Sequence, residues 1–241
     1  QGWVVAAVNY RLHSDHPWPD QLTDVTNAVR WLQDHADEHG IEADRIAILG
    51  GSAGGQLAML VGTNGTGTGH APLRAVASWS GPTDLRTIQP ASAPVGTAGQ
   101  PSGSATAVPV GCGTDPYCIG LTDPGVISTF LGCALQDCPE RYAAASPAVQ
   151  VGPGTAPMLL VNSESELVPV SQLYEMANSL NQSGVRAELL IVAGSRHADA
   201  YADVALGPTI DFLRGHLDGD LPATVSPRSP PTTAAGSVAL P

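Results

Sequence analysis

The sequence contains no lysine, so its positive charge comes from ten basic residues that are all arginine, set against 22 acidic residues. The formal net charge of −12 leaves no basic surface that could follow a phosphate backbone, and we therefore expect no nucleic-acid partner. Long apolar runs are also missing. Stretches such as residues 2–8 fall far short of the roughly 20 residues that a membrane-spanning helix requires, so we expect no membrane span.

Cysteine is scarce, and its four copies form two close pairs, Cys112 with Cys118 and Cys133 with Cys138. An even number in short loops favours disulfides and hence a secreted or extracytoplasmic protein, although four cysteines permit three connectivities. A zinc site is the alternative. It is disfavoured because neither pair has the C-x-x-C spacing of a zinc ribbon and no paired histidines lie close by.

Hydrophobic residues make up 43% of the chain, enough for one α/β domain with a sizeable core. Continuous apolar runs predict buried strands at residues 3–10, 45–50, 73–79, 157–162 and 187–192. Apolar residues recur at helical spacing in residues 21–39, 56–61 and 170–183. Strands that alternate with helices predict a mostly parallel sheet with helices on both faces.

Composition divides the chain further. Residues 1–220 are predicted to form one catalytic domain. Within it, residues 90–111 lack periodicity and residues 112–139 carry the four cysteines, and we interpret both as one insertion over the carboxyl edge of the sheet. Residues 221–241 are rich in Pro, Ser, Thr and Ala without an apolar period, so we expect a disordered tail or a linker.

The run Gly50-Gly51-Ser52-Ala53-Gly54 matches G-x-S-x-G, the nucleophile elbow, between a predicted strand and a predicted helix. In such a turn the Ser52 hydroxyl projects above the sheet as a nucleophile. The backbone N–H of Ala53 can donate a hydrogen bond to a developing oxyanion. The alternative is an ordinary glycine-rich turn.

A serine nucleophile needs a base, and His197 lies just past the last predicted strand, at the same sheet edge as Ser52. The acid should precede it in the chain. Glu166 is the first choice and Glu164 the second, because both follow the strand at residues 157–162. Asp84 also lies at this edge, and a turn or helix-cap role is favoured for it.

The other six histidines divide into two groups. His13 and His16 follow the first predicted strand and could line a pocket, whereas the remaining four are expected on the solvated surface: His35, His39, His70 and His216.

On these residues the chain resembles the α/β-hydrolase esterases of the hormone-sensitive-lipase and feruloyl-esterase-like (BD-FAE-like) group. The matching segments are residues 9–12, 17–19, 24, 28–32, 44–46, 50–55, 57–58, 80–85, 145–147, 167–169 and 197. The resemblance covers residues 1 to about 217. It implies hydrolysis of a small-molecule ester through an acyl-enzyme on Ser52, with His197 moving the proton and with no metal or organic cofactor.

Two departures from that group stand out. Its members carry further strands and an HGGG-type loop, part of their oxyanion hole, before the segment that matches Gln1, so we expect an N-terminal truncation relative to them. They usually have an aspartate where this chain has Ser165. Two alternatives to an esterase follow, a prolyl-oligopeptidase-like serine peptidase and an inactive fragment that serves as a binding module.

Overall fold

Four parallel strands form one sheet in the computed structural model, which describes residues 2–12, 15–88 and 124–220. Their order in space is their order in the chain: β1 (Ala47–Gly51), β2 (Ala75–Trp79), β3 (Met158–Ser163) and β4 (Ala187–Val192). Strands β2 and β3 are buried along their whole length, whereas β1 and β4 are partly exposed. The four carboxyl ends therefore meet at a single edge.

Helices connect and cover these strands. They are α1 (Asp20–Asp34), α2 (Ala36–His39), α3 (Ala53–Asn64), α4 (Pro124–Leu131), α5 (Pro139–Ala144), α6 (Pro147–Gln150), α7 (Val170–Gln182), a short 3-10 turn (Ala198–Tyr201) and α8 (Ala202–Leu217). None of the helices within the described residues is long and apolar enough to cross a membrane.

The core lies in two layers, one on each face of the sheet. Successive side chains of a strand point to opposite faces. Thus Val76 joins the layer that holds α1, α3 and α7, whereas Ala75 and Ala77 join the layer under α8. Helix α3 is buried along most of its length, with Leu57 to Val61 all at most 3% exposed, which fixes its N-terminus against the sheet edge.

Most of the predicted elements are present. Strand β4 has the predicted bounds, and α7 matches the predicted helix to within one residue. The predicted helix at residues 21–39 is α1 followed by α2, and Gly40, with a φ of 65°, ends it. The prediction of a parallel sheet between helical layers is confirmed.

The predicted strand at residues 3–10 is wrong. This segment has no regular secondary structure, and Val4 and Val5 are 59% and 86% exposed. A strand needs a neighbour to complete its hydrogen-bond ladder, and no strand of the described residues pairs with this one. Trp3 and Val8 nevertheless pack against the two core layers, so the apolar composition reflects partial burial rather than sheet formation.

His216 is not the surface residue that we expected. It lies in α8, a helix that the sequence reading did not predict, and it is only 4% exposed. Its ring packs edge-to-face against Phe212, with the centroids 4.6 Å apart. The surface prediction failed because it treated this stretch as a lead-in to the tail rather than as a helix packed on the sheet.

A disulfide joins Cys133 and Cys138 in the segment between α4 and α5. Cys112 and Cys118 lie outside the described residues, as do residues 90–123 of the predicted insertion and the predicted tail at residues 221–241. Of the insertion, α4 is described, and its Phe130 packs edge-to-face on Trp18 with a centroid distance of 5.6 Å.

Candidate active site

Each strand of the sheet ends at one chemically useful side chain. Ser52 directly follows β1, Ser80 directly follows β2, Glu166 lies in the loop after β3 and His197 lies in the loop after β4. Because the strands are parallel, all four loops lie at the carboxyl edge, where ligands bind in open α/β sheets.

Backbone hydrogen bonds continue the ladder past the strand ends and hold these loops side by side. The N–H of Ser52 donates to the Trp79 carbonyl at 2.7 Å, and the N–H of Ser80 donates to the Val161 carbonyl at 2.8 Å. The N–H of Glu164 donates to the Val192 carbonyl at 3.0 Å. The position of each loop is thus set by the neighbouring strand.

Ser52 has the strained backbone of a nucleophile elbow, with φ 53° and ψ −124°. A positive φ is costly for a residue with a Cβ and is retained where the surrounding structure enforces it. The turn is so tight that a Cβ on Gly50 would lie 2.1 Å from the Gly54 carbonyl oxygen. The Ser52 carbonyl accepts the first hydrogen bond of α3, which leaves the Ala53 N–H without an intrahelical acceptor.

The structure brings Glu166 and His197 together. Glu166 is only 1% exposed, and its Oε2 is hydrogen-bonded to His197 Nδ1. Its Oε1 accepts hydrogen bonds from the Ser80 hydroxyl and the Ser163 N–H, both at 2.8 Å. Because a carboxylate can only accept, Nδ1 is the protonated nitrogen and Nε2 remains available as an acceptor. The His197 side chain is 26% exposed, so it remains accessible from solvent.

Ser80 is a member of the site that the sequence reading missed. It has a positive φ of 54° and is fully buried. Its hydroxyl donates to Glu166, accepts from the Ala198 N–H at 2.9 Å and lies 2.7 Å from the Tyr201 hydroxyl. Burial raises the pKa of Tyr201, so this neighbour is a neutral phenol. The available signal was a serine placed directly after a predicted strand, in the motif at residues 80–85.

Glu164, the second candidate acid, is not paired with the histidine. Its side chain accepts a hydrogen bond from the Gly194 N–H at 3.2 Å and is exposed to solvent. It therefore contacts the backbone of the histidine loop and not the imidazole.

The elbow and the histidine loop are in contact: a Cβ on Gly51 would lie 3.3 Å from the Ala198 Cβ. Within the described residues the Ser52 hydroxyl makes no hydrogen bond, to His197 or to any other group. Catalytic hydrogen bonds are often long before substrate binds. The contact thus places the elbow next to the loop that carries His197.

The remaining candidates lie away from this cluster. Asp84 accepts hydrogen bonds from the backbone and side chain of Arg86 in its own turn. His35 stacks on Trp31, His70 lies 3.1 Å from Asp34, and His16 lies 3.4 Å from Asp20. His13 falls outside the described residues.

Two cavities lie at the two ends of α3. A pocket of about 130 Å³ borders its first turn, beside the elbow, and is lined by Tyr10, Arg11, Leu12, Gln21, Ala53, Gln56, Leu57 and Phe130. A cleft of about 290 Å³ borders its last turn and is lined by residues 63–68 together with His70, Pro72, Pro153 and Gly154.

Comparison with known proteins identifies the family of this chain. The profile of the BD-FAE family matches residues 1–180. The chain belongs to the BD-FAE family. The resemblance that the sequence motifs indicated is thereby confirmed.

Curated relatives of this BD-FAE chain are esterases. The chain is 48% identical over 59 residues to the probable carboxylic ester hydrolase LipM of Mycobacterium tuberculosis, a match that spans 24% of this chain and 14% of LipM. It is 37% identical over 70 residues to the carboxylesterase NlhH of the same organism, covering 29% of this chain and 22% of NlhH. The chain thus spans less than a quarter of the length of either relative.

Solved structures show the same fold. A truncated carbohydrate esterase from gut microbiota superposes with a TM-score of 0.63 at 19% identity, covering 87% of this chain and 73% of the other. A thermostable esterase from Pseudomonas putida superposes with a TM-score of 0.60 at 19% identity, covering 87% and 63%. The BD-FAE chain therefore has the α/β-hydrolase fold, as predicted.

Proposed function

We propose that this chain hydrolyses carboxylic esters of small molecules through an acyl-enzyme on Ser52. One observation carries the proposal: the buried Glu166 carboxylate holds His197 by Nδ1 at the sheet edge where the Ser52 elbow lies. The esterase names of the relatives support the choice of ester over other acyl compounds.

The proposed reaction uses each group once per half-reaction. His197 Nε2 takes the proton of the Ser52 hydroxyl as Oγ attacks the ester carbonyl, and Glu166 stabilises the resulting imidazolium. The Ala53 N–H donates to the oxyanion. Collapse of the tetrahedral intermediate breaks the bond to the alcohol oxygen, which receives the proton from His197. A water molecule then repeats the sequence on the acyl-enzyme and releases the carboxylic acid.

A fluorophosphonate probe tests this assignment, because it reacts with activated serines and leaves ordinary hydroxyls unlabelled. We expect label on Ser52, mapped by peptide mass spectrometry, and loss of that label in the Ser52→Ala and His197→Ala variants. Ser165→Ala is the matched control, since it removes an exposed serine one residue from Glu166. Folded protein that takes no label, or label on another serine, would overturn the proposal.

A substrate pair separates an esterase from a serine peptidase with the same residues. We expect hydrolysis of p-nitrophenyl acetate, and slower hydrolysis of an aminoacyl p-nitroanilide by at least tenfold in kcat/KM. The opposite preference would favour a peptidase. Hydrolysis of neither compound by protein that the fluorophosphonate fails to label would favour a binding module.

We further propose that the protein works in an oxidising compartment. The Cys133–Cys138 disulfide supports this proposal, because disulfides persist mainly outside the cytosol. Peptide mapping of protein isolated from its source without reductant should recover the two cysteines as one linked peptide. Recovery of both as free thiols would contradict this location.

A further inference from the structure

Tyr201 is a buried phenol at the edge of the candidate site. It lies in the 3-10 turn that directly follows His197, and it is fully buried. Its ring packs on Trp79, with the centroids 5.8 Å apart, in the core layer under α8. Burying a hydroxyl in such a layer costs free energy unless the hydroxyl is hydrogen-bonded, so its partners matter. They are the Ser80 Oγ at 2.7 Å and the Val161 carbonyl at 3.2 Å.

The direction of the bond between Tyr201 and Ser80 follows from the other partners of Ser80. An ionised carboxylate only accepts hydrogen bonds, so the single proton of the Ser80 hydroxyl is committed to Glu166 Oε1. The Ala198 N–H can only donate to Ser80 Oγ. The phenol is therefore the donor of the 2.7 Å bond, and the hydrogen bonds run from Tyr201 to Ser80 and from Ser80 to Glu166.

The phenol proton has a second acceptor in the Val161 carbonyl. If the proton turned to Val161, the Ser80 proton would have to turn to Tyr201, because two oxygens 2.7 Å apart repel each other without a proton between them. Glu166 Oε1 would then lose Ser80 and keep only the Ser163 N–H as a donor. The shorter bond and the charge of Glu166 both favour the first setting.

This chain of hydroxyls acts on the oxygen of Glu166 that the histidine does not bind. Oε1 is held by the Ser80 hydroxyl and the Ser163 N–H, which leaves Oε2 to His197 Nδ1. A hydroxyl that accepts a hydrogen bond is polarised and becomes a stronger donor, so Tyr201 strengthens the bond from Ser80 to Glu166. Burial raises the pKa of Tyr201, so the phenol keeps its proton at neutral pH.

The other ionisable groups around His197 do not bind its ring. Among the described residues, Glu166 alone forms a hydrogen bond or an ion pair with the imidazole. A change at Tyr201 therefore reaches the histidine through Ser80 and Glu166. The neighbouring groups without such a contact are Glu164 in the loop after β3, Arg196 beside the histidine, Asp199 in the 3-10 turn and Asp203 in α8.

Building on the proposed esterase function, we propose that Tyr201 is a positioning residue of the site. Its hydroxyl donates to Ser80, commits the Ser80 proton to Glu166 and so holds the carboxylate in the orientation that binds His197 Nδ1. Because Tyr201 is fully buried, it contacts neither the ester nor the reacting atoms, and it acts through two intervening side chains. Its contribution should therefore be visible in the titration of His197 as well as in the rate.

Tyr201→Phe removes the donor and keeps the ring. We expect kcat on p-nitrophenyl acetate to fall by about three- to tenfold, as for one neutral hydrogen bond, with KM within about twofold of wild type. With a weaker donor on Oε1, Glu166 interacts more strongly with the imidazolium. The acid limb of kcat/KM should therefore move to higher pH by about 0.3 to 0.7 unit.

Tyr142→Phe is the matched control. Tyr142 lies in α5 and is also buried, and its hydroxyl donates to the Cys133 carbonyl at 3.2 Å. This variant loses a buried phenol and one bond to a backbone carbonyl, as Tyr201→Phe does, but it leaves the Ser80 chain intact. Neither kcat nor the acid limb should change.

A double-mutant cycle tests whether Tyr201 acts through Ser80. In the Ser80→Ala background the phenol keeps only the Val161 carbonyl as a partner. A further Tyr201→Phe change should then alter kcat by less than about twofold and leave the acid limb in place. If Tyr201→Phe fails to fold, 3-fluorotyrosine at position 201 takes its place. Its more acidic phenol is a stronger donor, so the acid limb should move to lower pH, and an unmoved limb would refute the proposal.

Folded Tyr201→Phe protein with an unmoved acid limb, or an equal loss with and without the Ser80 hydroxyl, would overturn the positioning role. Failure of the esterase itself is distinguishable, because it appears as no hydrolysis of any ester and no fluorophosphonate label. In that event the pH midpoint of the His197 ring signals is measured by NMR in the Ser52→Ala protein. A midpoint that Tyr201→Phe raises and Tyr142→Phe leaves unchanged would support the role, and a midpoint unchanged in both would refute it.

Discussion

The two cavities at the ends of α3 differ in size and in chemistry. The cleft at the C-terminal end is about twice as large, at about 290 Å³ against 130 Å³, yet the one histidine in its described lining, His70, is bonded to a surface aspartate. The smaller pocket includes Ala53, the residue after Ser52 in the elbow, in its lining. Under the proposed function, the carboxyl ends of the strands indicate the site and the volume of the cavity does not.

The largest effect is expected from the acid of the site. Glu166→Gln should lower kcat on p-nitrophenyl acetate by about 10²- to 10⁴-fold, because an amide no longer stabilises the imidazolium and permits the wrong tautomer. Glu164→Gln is the matched control, since among the described residues its side chain accepts a hydrogen bond from the Gly194 N–H alone, and it should stay within about threefold of wild type. Equal losses in both variants would remove the distinction between the two glutamates.

Ser80→Ala should lower kcat by about tenfold, because Glu166 loses one of its donors and the Ala198 N–H loses its acceptor. Ser80 is a positioning residue that acts through Glu166, so the pH profile should also change. With one donor fewer, the carboxylate interacts more strongly with the imidazolium, and the acid limb of kcat/KM should move to higher pH. A loss of stability with an unmoved limb would indicate a purely structural serine.

Arg11 links the pocket wall to α1, and its interactions lower the pKa of Asp24 to about 2, chiefly through the hydrogen bond from its side chain and then through that from its backbone N–H. A carboxyl with a depressed pKa stabilises the fold above its unfolded pKa of about 3.9, and this contribution is lost as the pH falls towards 2. Asp24→Asn should therefore lower Tm at pH 7, with the difference from wild type shrinking between about pH 4 and pH 2. A difference independent of pH would show that the charge of Asp24 contributes nothing.

The smallest effect is expected in the larger cleft. His70→Ala should leave kcat and KM for p-nitrophenyl acetate within twofold of wild type, because its ring contacts Asp34 at the far end of α3. Steady-state kinetics on protein of matched circular dichroism would check this. A tenfold loss of kcat/KM would instead indicate that the larger cleft contributes to catalysis.

Much of the sheet could be predicted from the sequence because its strands are short apolar runs bounded by turn residues. Residues 187–192 are an example, and β4 has those bounds. The same rule failed for residues 3–10, since composition indicates burial but cannot supply a neighbouring strand. Helix α8 was missed because Gly207 and Pro208, an ordinary turn signal, lie inside it.

The candidate site was predictable only where its residues are close together in the sequence. The G-x-S-x-G motif is local, so Ser52 and Ala53 could be proposed from five consecutive residues. The sequence ranked Glu166 above Glu164 but left both open, because the choice depends on which carboxylate points back into the sheet edge. The contribution of Ser80 was hidden for the same reason, since its partners are 86 and 118 residues away in the chain.

The large sequence separations between Ser80 and its partners affect the order in which the protein folds. The Ser80 hydroxyl bridges Glu166 and Ala198, so the cluster exists only once the ends of β2, β3 and β4 have come into register. Contacts between such distant residues form late, after the entropy of closing long loops has been overcome. During refolding, the helical circular dichroism signal should therefore return before the His197 loop reaches its native position. The rate at which esterase activity recovers would then report the last step of folding.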